Sequence, residues 1–243
     1  MSLCNLCRLD RRLVKGHILS DFLYDEVYDK NEHRFHQLHT DVTKMNLTRP
    51  TGFYEPLMCD DCDNRVISRY ETYASKVFKG GVEIVIRHDP DRIVVKELDY
   101  TNFKLFQLSL LWRCAISTRD EFKAVSVTPE HAEKMRLMLS NHHPGEPHEY
   151  GCVVMIPEMY QEVRQVIMPP DPIRISGHRC FRLLAGGFWW LFVVSGHSNR
   201  FEKRELFLSE DGTLNIMRER ASTAFMRRFA VELVKNPTYP IVA

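Results

Sequence analysis

Two pairs of cysteines have the spacing of metal ligands, because two residues separate the members of each pair. Cys4 and Cys7 form the first pair, and Cys59 and Cys62 form the second. Zinc prefers four tetrahedral ligands, and a Cys-x-x-Cys turn directs two thiolates at one ion. The spacing therefore predicts one structural Zn²⁺ held by all four thiolates. The alternative is two unrelated pairs, one of them redox-active, although neither pair lies in a βαβ pattern.

The other three of the seven cysteines are isolated among apolar residues. They are Cys114, Cys152 and Cys180. A free cysteine in such surroundings usually packs as a small hydrophobic side chain. We predict that these three lie away from the metal ion.

A histidine follows the first cysteine pair inside a short apolar segment. The segment reads Leu13-Val14-Lys15-Gly16-His17-Ile18-Leu19, and His17 lies ten residues after Cys7. A second strand-like segment, residues 54–58, precedes the second cysteine pair, which opens a predicted helix. The predicted order is therefore a cysteine knuckle, a hairpin and a helix.

In this order of elements, residues 1–75 resemble the HNH or ββα-metal endonuclease superfamily, whose zinc-bearing members are treble clefs. The resemblance implies a single catalytic Mg²⁺ or Mn²⁺ beside a histidine, which acts as general base on the water that attacks a phosphodiester. It assigns that role to His17 and implies a setting in host defence or a mobile element. The candidate catalytic residues are His17, Asp63, Asn64 and Glu71.

One position departs from the family pattern. Fully active members usually have Asp or His directly before the base, and this chain has Gly16 there. The departure favours a second hypothesis, in which the fold is a non-catalytic zinc module that binds nucleic acid or protein. In that hypothesis His17 is a packed strand residue or an oriented neighbour of the zinc.

Basic residues on the predicted zinc unit are candidates for contacts with the phosphates of DNA or RNA. They are Arg8, Arg11, Arg12, Lys15, Arg65 and Arg69. The alternative is an ordinary charged surface, because several aspartates lie nearby in the sequence. The formal net charge of the whole chain is +1, so any basic surface must be local. A second basic run follows residue 217 and is interpreted as a solvated helix face: Arg218, Arg220, Arg227 and Arg228.

Length and composition indicate a globular protein of one or two domains. The chain has 243 residues, of which 44% are hydrophobic, enough to form a sizeable core. The longest apolar runs, such as residues 186–194, contain glycine and are shorter than the roughly 20 residues that span a bilayer. The first residues lack the pattern of a secretory signal. We therefore expect a cytoplasmic protein without a membrane partner.

The predicted zinc unit comprises residues 1–79. Ser20 is a suitable cap for a helix over residues 20–29, and an elaborated loop follows as far as residue 56. A second helix is predicted over residues 62–78, where Gly80 and the next glycine end it.

Residues 80–243 are predicted to form a larger α+β domain in which helices pack on an antiparallel sheet. Its role is assigned to recognition or to binding a protein partner. Strands are predicted at 82–87, 92–96, 151–156, 173–175, 180–184, 188–194 and 205–208, and helices at 103–116, 128–141 and 217–235.

Overall fold

The structure is a computed structural model that describes residues 2–38, 43–157 and 165–219. Its α-helices in these ranges are α1 (Ser68–Lys79), α2 (Tyr100–Ile116) and α3 (Pro129–Ser140). The strands are β1 (Ser2–Leu3), β2 (Asp10–Arg11), β3 (Leu13–His17), β4 (Phe35–Gln37), β5 (Leu47–Arg49), β6 (Tyr54–Cys59), β7 (Val85–His88), β8 (Arg92–Lys96), β9 (Cys152–Pro157), β10 (Met168–Ile175), β11 (His178–Ala185), β12 (Phe188–Val193) and β13 (Leu214–Glu219). The mixture of helices and a large sheet confirms the α+β class.

The large sheet has seven strands in the order β10-β11-β12-β9-β13-β8-β7. Neighbouring strands are antiparallel except for β13 and β9, which run parallel with Met217 opposite Met155. The predicted antiparallel sheet is found in the described ranges, with this one parallel pair inside it. A hairpin requires antiparallel strands, whereas β13 reaches the sheet after the long connection 194–213 and is free of that constraint.

Helix α2 is the central core element. Every residue from Phe103 to Cys114 is buried, although Lys104 and Arg113 carry charges. A helix that is buried all round packs on several neighbours at once. Helix α2 contacts α1 and α3, and its Phe106 meets Trp190 of β12 with ring centroids 5.9 Å apart.

The main hydrophobic core extends across the boundary that the sequence predicts after residue 79. It contains Ile18 from the zinc unit together with Leu108 and other residues of the second unit. The Tyr70 hydroxyl of α1 donates a hydrogen bond of 2.9 Å to the Leu139 carbonyl of α3. The two predicted units therefore share one hydrophobic core. Their division into separate domains after residue 79 stays a prediction.

The predicted zinc unit, residues 1–79, is organised around the β3–β6 hairpin and the helix that follows it. These strands are antiparallel, with a register shift between Val14 and Gly16. After β6 the chain forms a π-helical turn, Cys62–Ile67, that continues directly into α1. Gly80 ends the helix with a φ of 75°, a left-handed conformation that glycine adopts without strain. The predicted helix over residues 62–78 is confirmed.

The helix predicted over residues 20–29 is wrong. Only a single 3₁₀ turn forms, Asp21–Tyr24, and Ser20 makes no capping hydrogen bond. The aromatic residues of this segment anchor the distant loop instead: the hydroxyls of Tyr24 and Tyr28 accept hydrogen bonds from the amides of Phe53 and Gly52. Tertiary contacts here override local helix propensity.

Two predictions near the C-terminus are also corrected. Residues 217–219 belong to strand β13, whose Ile216 pairs with Ile93 of β8, so the predicted helix does not begin at Met217. The remainder of that helix, with Arg220, Arg227 and Arg228, lies outside the described residues. The strand predicted at 205–208 is replaced by a 3₁₀ turn, Arg204–Leu206.

Among the residues that the structure describes, no helix has both the length and the apolar character needed to cross a membrane.

Candidate metal centre and polar cluster

The four predicted metal ligands come together. Their sulfur atoms all lie within 4.8 Å of one another, and the Cys7 and Cys59 sulfurs are 3.9 Å apart. Sulfurs held at about 2.3 Å from one tetrahedral ion lie about 3.8 Å apart. The spacing therefore fits a metal ion such as zinc.

Local backbone structure directs these thiols at one point. Cys4 and Cys7 lie in the tight turn between β1 and β2, which Arg8 closes with a φ of 61°. Cys59 ends β6, and Cys62 begins the helical turn after it. Asn5 joins the two halves, because its backbone amide and its side-chain amide both donate to the Leu57 carbonyl.

The surroundings of Cys4 favour its thiolate. Burial opposes ionisation, but hydrogen bonds from the amides of Cys7, Cys59 and Leu6 outweigh it and lower the Cys4 pKa to about 7. The Cys59 amide lies 3.3 Å from the Cys4 sulfur. Ionised thiolates are the form that binds a metal, so the Cys4 sulfur is suited to a cation, whereas burial raises the pKa of Cys7 and of Cys62.

The remaining cysteines lie elsewhere. All three are buried in the core, and within the described ranges the metal-like cluster contains only the four predicted ligands. Burial raises the pKa of Cys114 to about 12 and that of Cys180 to about 11, and it also raises the pKa of Cys152. The prediction that these thiols lie away from the four-cysteine cluster is confirmed.

His17 ends β3, at the other end of the strand from Leu13, which pairs with Cys59. Its side chain is 36% exposed, and its Nε2 is 3.4 Å from the Asp21 carboxylate. Exposure at a strand end leaves the imidazole accessible to a ligand. A fully packed strand residue would not show this exposure.

Asp63 lies directly over the backbone of the residue before His17. A Cβ atom built on Gly16 would be only 2.5 Å from Asp63 Oδ1 and 2.9 Å from its Oδ2. In the described part of the chain, the Asp63 carboxylate forms no hydrogen bond and no ion pair. Burial raises the pKa of this carboxyl, and the Arg113 guanidinium opposes that effect. Gly16 is therefore the residue type that makes room for the Asp63 carboxylate.

Replacing Gly16 by Ala should destabilise the protein, because the added methyl group and the Asp63 carboxylate cannot occupy the same space. We expect a loss of about 1–3 kcal/mol in the free energy of unfolding, measured by urea denaturation. Gly196→Ala is the matched control, since nothing lies within 4 Å of a Cβ at Gly196 and its φ is ordinary. In an Asp63→Ala background the Gly16 substitution should have a smaller effect. Equal stability of Gly16→Ala and the parent protein would contradict the close approach.

A buried arginine from α2 fixes the backbone around His17. Arg113 is 1% exposed, and its Nη1 donates to the His17 carbonyl at 2.7 Å and lies 2.7 Å from Glu71 Oε1. Its Nη2 donates to the Ser20 hydroxyl at 3.1 Å, and that hydroxyl donates to Glu71 at 2.5 Å. This network joins β3, α1 and α2, so His17 is held by an element far away in the sequence.

Sequence reasoning missed Arg113. The available signal was a single charged residue in an otherwise apolar segment of α2, which contains Leu110, Leu111, Trp112 and Cys114. A charge in such a helix is seldom buried without a partner. The partners themselves are distant in sequence and cannot be found from the local pattern.

The other two candidate catalytic residues are engaged differently. Glu71 is held by Arg113 and Ser20, as described above. Asn64 is exposed, and its side-chain amide donates to Asp60 Oδ1 at 2.7 Å. Of the three polar candidates, Asp63 alone has a carboxylate or amide group with no hydrogen bond or ion pair within the described ranges.

The predicted basic residues are only partly free. Arg8 pairs with Glu133, and Arg11 and Arg65 both pair with Asp61. Three others form no ion pair with any described residue: Arg12, Lys15 and Arg69. The basic surface is therefore smaller than the sequence count of arginines and lysines indicates.

The sequence matches no protein-family model, and comparisons with curated proteins and with solved structures gave no match. The functional assignment therefore depends on the residues of this chain and on their geometry.

Proposed function

We propose that this protein is a metal-dependent nucleic-acid endonuclease of HNH type, which hydrolyses phosphodiester bonds in DNA or RNA. The observation that carries the proposal is the placement of Asp63, whose unpaired carboxylate lies over Gly16 and beside the partly exposed His17. Mg²⁺ and Mn²⁺ prefer oxygen ligands such as carboxylates. A partly buried carboxylate without a protein partner fits such an ion.

The position of Asp63 also accounts for Gly16. Members of the HNH superfamily usually have an acidic or histidine side chain before the base, and this chain has none there. In this structure the Asp63 carboxylate occupies the space that a side chain at position 16 would enter. We infer that Asp63 supplies from the helix the metal ligand that the family usually supplies from the strand.

The scaffold of the proposed site is a treble clef around a structural Zn²⁺. The cysteine turn, the β3–β6 hairpin and the helix that begins at Cys62 follow one another in the order of that fold. The four-sulfur cluster lies where the knuckle meets the helix. Asp63 directly follows a cysteine ligand, so a bound zinc would hold the start of the helix that carries Asp63.

In the proposed reaction His17 takes a proton from the attacking water. A neutral imidazole can do this near neutral pH, and the Asp21 carboxylate at 3.4 Å stabilises the imidazolium that forms. Asp63 would hold Mg²⁺ or Mn²⁺, which when bound stabilises negative charge on the phosphate and on the leaving oxygen. Arg113 contributes by positioning, because it holds the His17 carbonyl and stays buried away from substrate.

A non-catalytic zinc module is the second candidate, and one observation favours it. Glu71 is already paired with Arg113 and hydrogen-bonded to Ser20, and Asn64 bonds to Asp60. Only Asp63 then remains as a free oxygen ligand among the predicted polar residues. In this case the same surface binds nucleic acid or a protein without cleaving anything.

A cleavage assay with added metal separates the two candidates. The zinc-loaded protein is incubated with plasmid DNA, single-stranded DNA and RNA, with Mn²⁺ or Mg²⁺ and without added metal. We expect cleavage that requires the added ion and is strongly reduced by Asp63→Asn, with Asn64→Ala as the neighbouring control. Intact substrates under all of these conditions would reject the nuclease and leave the binding module.

A further inference from the structure

A large open groove runs along the outer side of the β3–β6 hairpin. Its volume is about 1030 Å³, and its walls come from β3, β6 and the loop after α2. Pockets for small molecules usually measure about 300–1,000 Å³ and enclose most of their ligand. This groove is larger and open, so it fits an extended ligand better than a compact one.

Three cations, two carboxylates and one aromatic ring line this groove. Arg12, Lys15 and Arg119 supply positive charge, and Tyr54 supplies the ring. The Lys15 ammonium lies 3.4 Å from the centroid of the Tyr54 ring. Arg12 is exposed and forms no ion pair with any described residue, whereas Arg119 pairs with Glu121. Arg12 is therefore available to a ligand, and Lys15 becomes available when its ammonium leaves the Tyr54 ring, which uncovers that face of the ring.

The two carboxylates that line the groove accept hydrogen bonds from neighbouring residues. Both oxygens of Glu55 accept hydrogen bonds from Ser117 or Thr118, including two hydroxyl bonds of 2.6 Å. Asp60 accepts from Asn64 at 2.7 Å. These bonds hold the carboxylates on the protein, and their negative charge offsets part of the charge of the three cations.

We propose that this groove binds a single-stranded polynucleotide, with Tyr54 stacking on a base and with Arg12 and Lys15 contacting phosphates. Positive grooves with aromatic rings are the usual sites for single strands, since every base has a face that can stack. In a duplex the faces of the bases are covered by their neighbours, so a ring in a groove has no base to stack on. Only an unpaired strand uses all of these groups together.

One residue of the groove is paired with the proposed catalytic residue in the hairpin. Tyr54 is the cross-strand partner of His17, and Lys15 precedes His17 by two residues in β3. The Cα atoms of opposed residues in antiparallel strands are about 4.5–5.5 Å apart. A strand bound at Tyr54 therefore has its next phosphate near His17. The role of the groove as a substrate-binding site rests on the proposed nuclease function, but binding of a strand to the groove requires no cleavage.

Fluorescence anisotropy without added Mg²⁺ or Mn²⁺ tests the proposal, because it measures binding when cleavage cannot occur. Labelled single-stranded DNA, single-stranded RNA and a DNA duplex of the same sequence are titrated with the full-length protein. We expect a single strand to bind more tightly than the duplex. Tyr54→Leu should weaken single-strand binding by roughly 5- to 150-fold, whereas Tyr54→Phe, which keeps the ring, should bind like the parent.

The charge contacts have their own control. Arg12→Ala should weaken binding and reduce the slope of log affinity against log salt by about 1, whereas Arg200→Ala, an exposed arginine outside the groove, should change neither. The DNA and RNA titrations identify which single strand is the ligand. Equal binding of duplex and single strands, or unchanged affinity in Tyr54→Leu, overturns the groove proposal. If the protein gives either of these binding results but still cleaves nucleic acid, the nuclease proposal stands and only the groove proposal is rejected.

Discussion

Replacing Cys59 by Ser should remove the metal and unfold the N-terminal unit. Cys59 is 2% exposed and is one of four thiols that converge on one point. Structural zinc contributes about 10–16 kcal/mol in small zinc domains, so losing one of four thiolates removes most of the free energy that orders this unit. Zinc content by elemental analysis and the urea unfolding curve are the two measurements.

Cys180→Ala is the control for this change. Cys180 is fully buried but lies outside the cluster, so its replacement should lower stability slightly and leave one zinc per chain. The unit also shares its core with α2 and the sheet, so its loss should lower the stability of the whole chain. Full zinc content and a parent-like unfolding curve in Cys59→Ser would show that the cluster is not a metal site.

Replacing His17 by Ala should abolish most of the metal-dependent cleavage while the fold and the zinc remain. General-base catalysis contributes about 10²- to 10⁴-fold in rate, and we expect a loss of kcat in this range. The fold should persist because Arg113 binds the backbone carbonyl of residue 17, which the substitution retains. Cleavage rates at saturating substrate and saturating Mn²⁺ provide the measurement.

His36→Ala is the matched control, because His36 is an exposed histidine of β4 in the same unit. It should cleave at the parent rate. If His17→Ala and His36→Ala both retain the parent rate, His17 is not the base and the proposed mechanism fails.

The metal ligands could be predicted from sequence because their geometry is local. A Cys-x-x-Cys turn directs two thiols at one point whatever the rest of the chain does, and the β3 and β6 strands between the pairs follow from short patterns. The helix from residue 62 and its end at Gly80 were predictable for the same reason. Each depends on residues within a few positions of one another.

The polar cluster around His17 could be predicted only in part. The order of the motif indicated His17 and Asp63, but the approach of Asp63 to Gly16 depends on how the helix packs on the hairpin. The hydrogen bond between Arg113 and the His17 carbonyl joins residues 96 positions apart. No local sequence pattern identifies partners at such a distance. The same is true of the hydrogen bonds to the Tyr24 and Tyr28 hydroxyls, which anchor the segment where a helix is predicted.

Strand β13 shows a further limit of prediction from local sequence patterns. Its residues have an alternating pattern for only a short distance, and they enter the sheet between β8 and β9, which are far apart in the sequence. The parallel pairing with β9 follows from this insertion. Local periodicity predicts a helix from residue 217, so here it identifies neither the strand nor its neighbours in the sheet.

The central claim is that a divalent ion binds at Asp63 beside His17, in addition to the zinc held by the four cysteines. Anomalous diffraction from crystals soaked in Mn²⁺, recorded on both sides of the manganese edge, tests it most directly. We predict two separate metal peaks: zinc among Cys4, Cys7, Cys59 and Cys62, and manganese at the Asp63 carboxylate. A single zinc peak, with no manganese near Asp63 at saturating Mn²⁺, would contradict the proposed catalytic site.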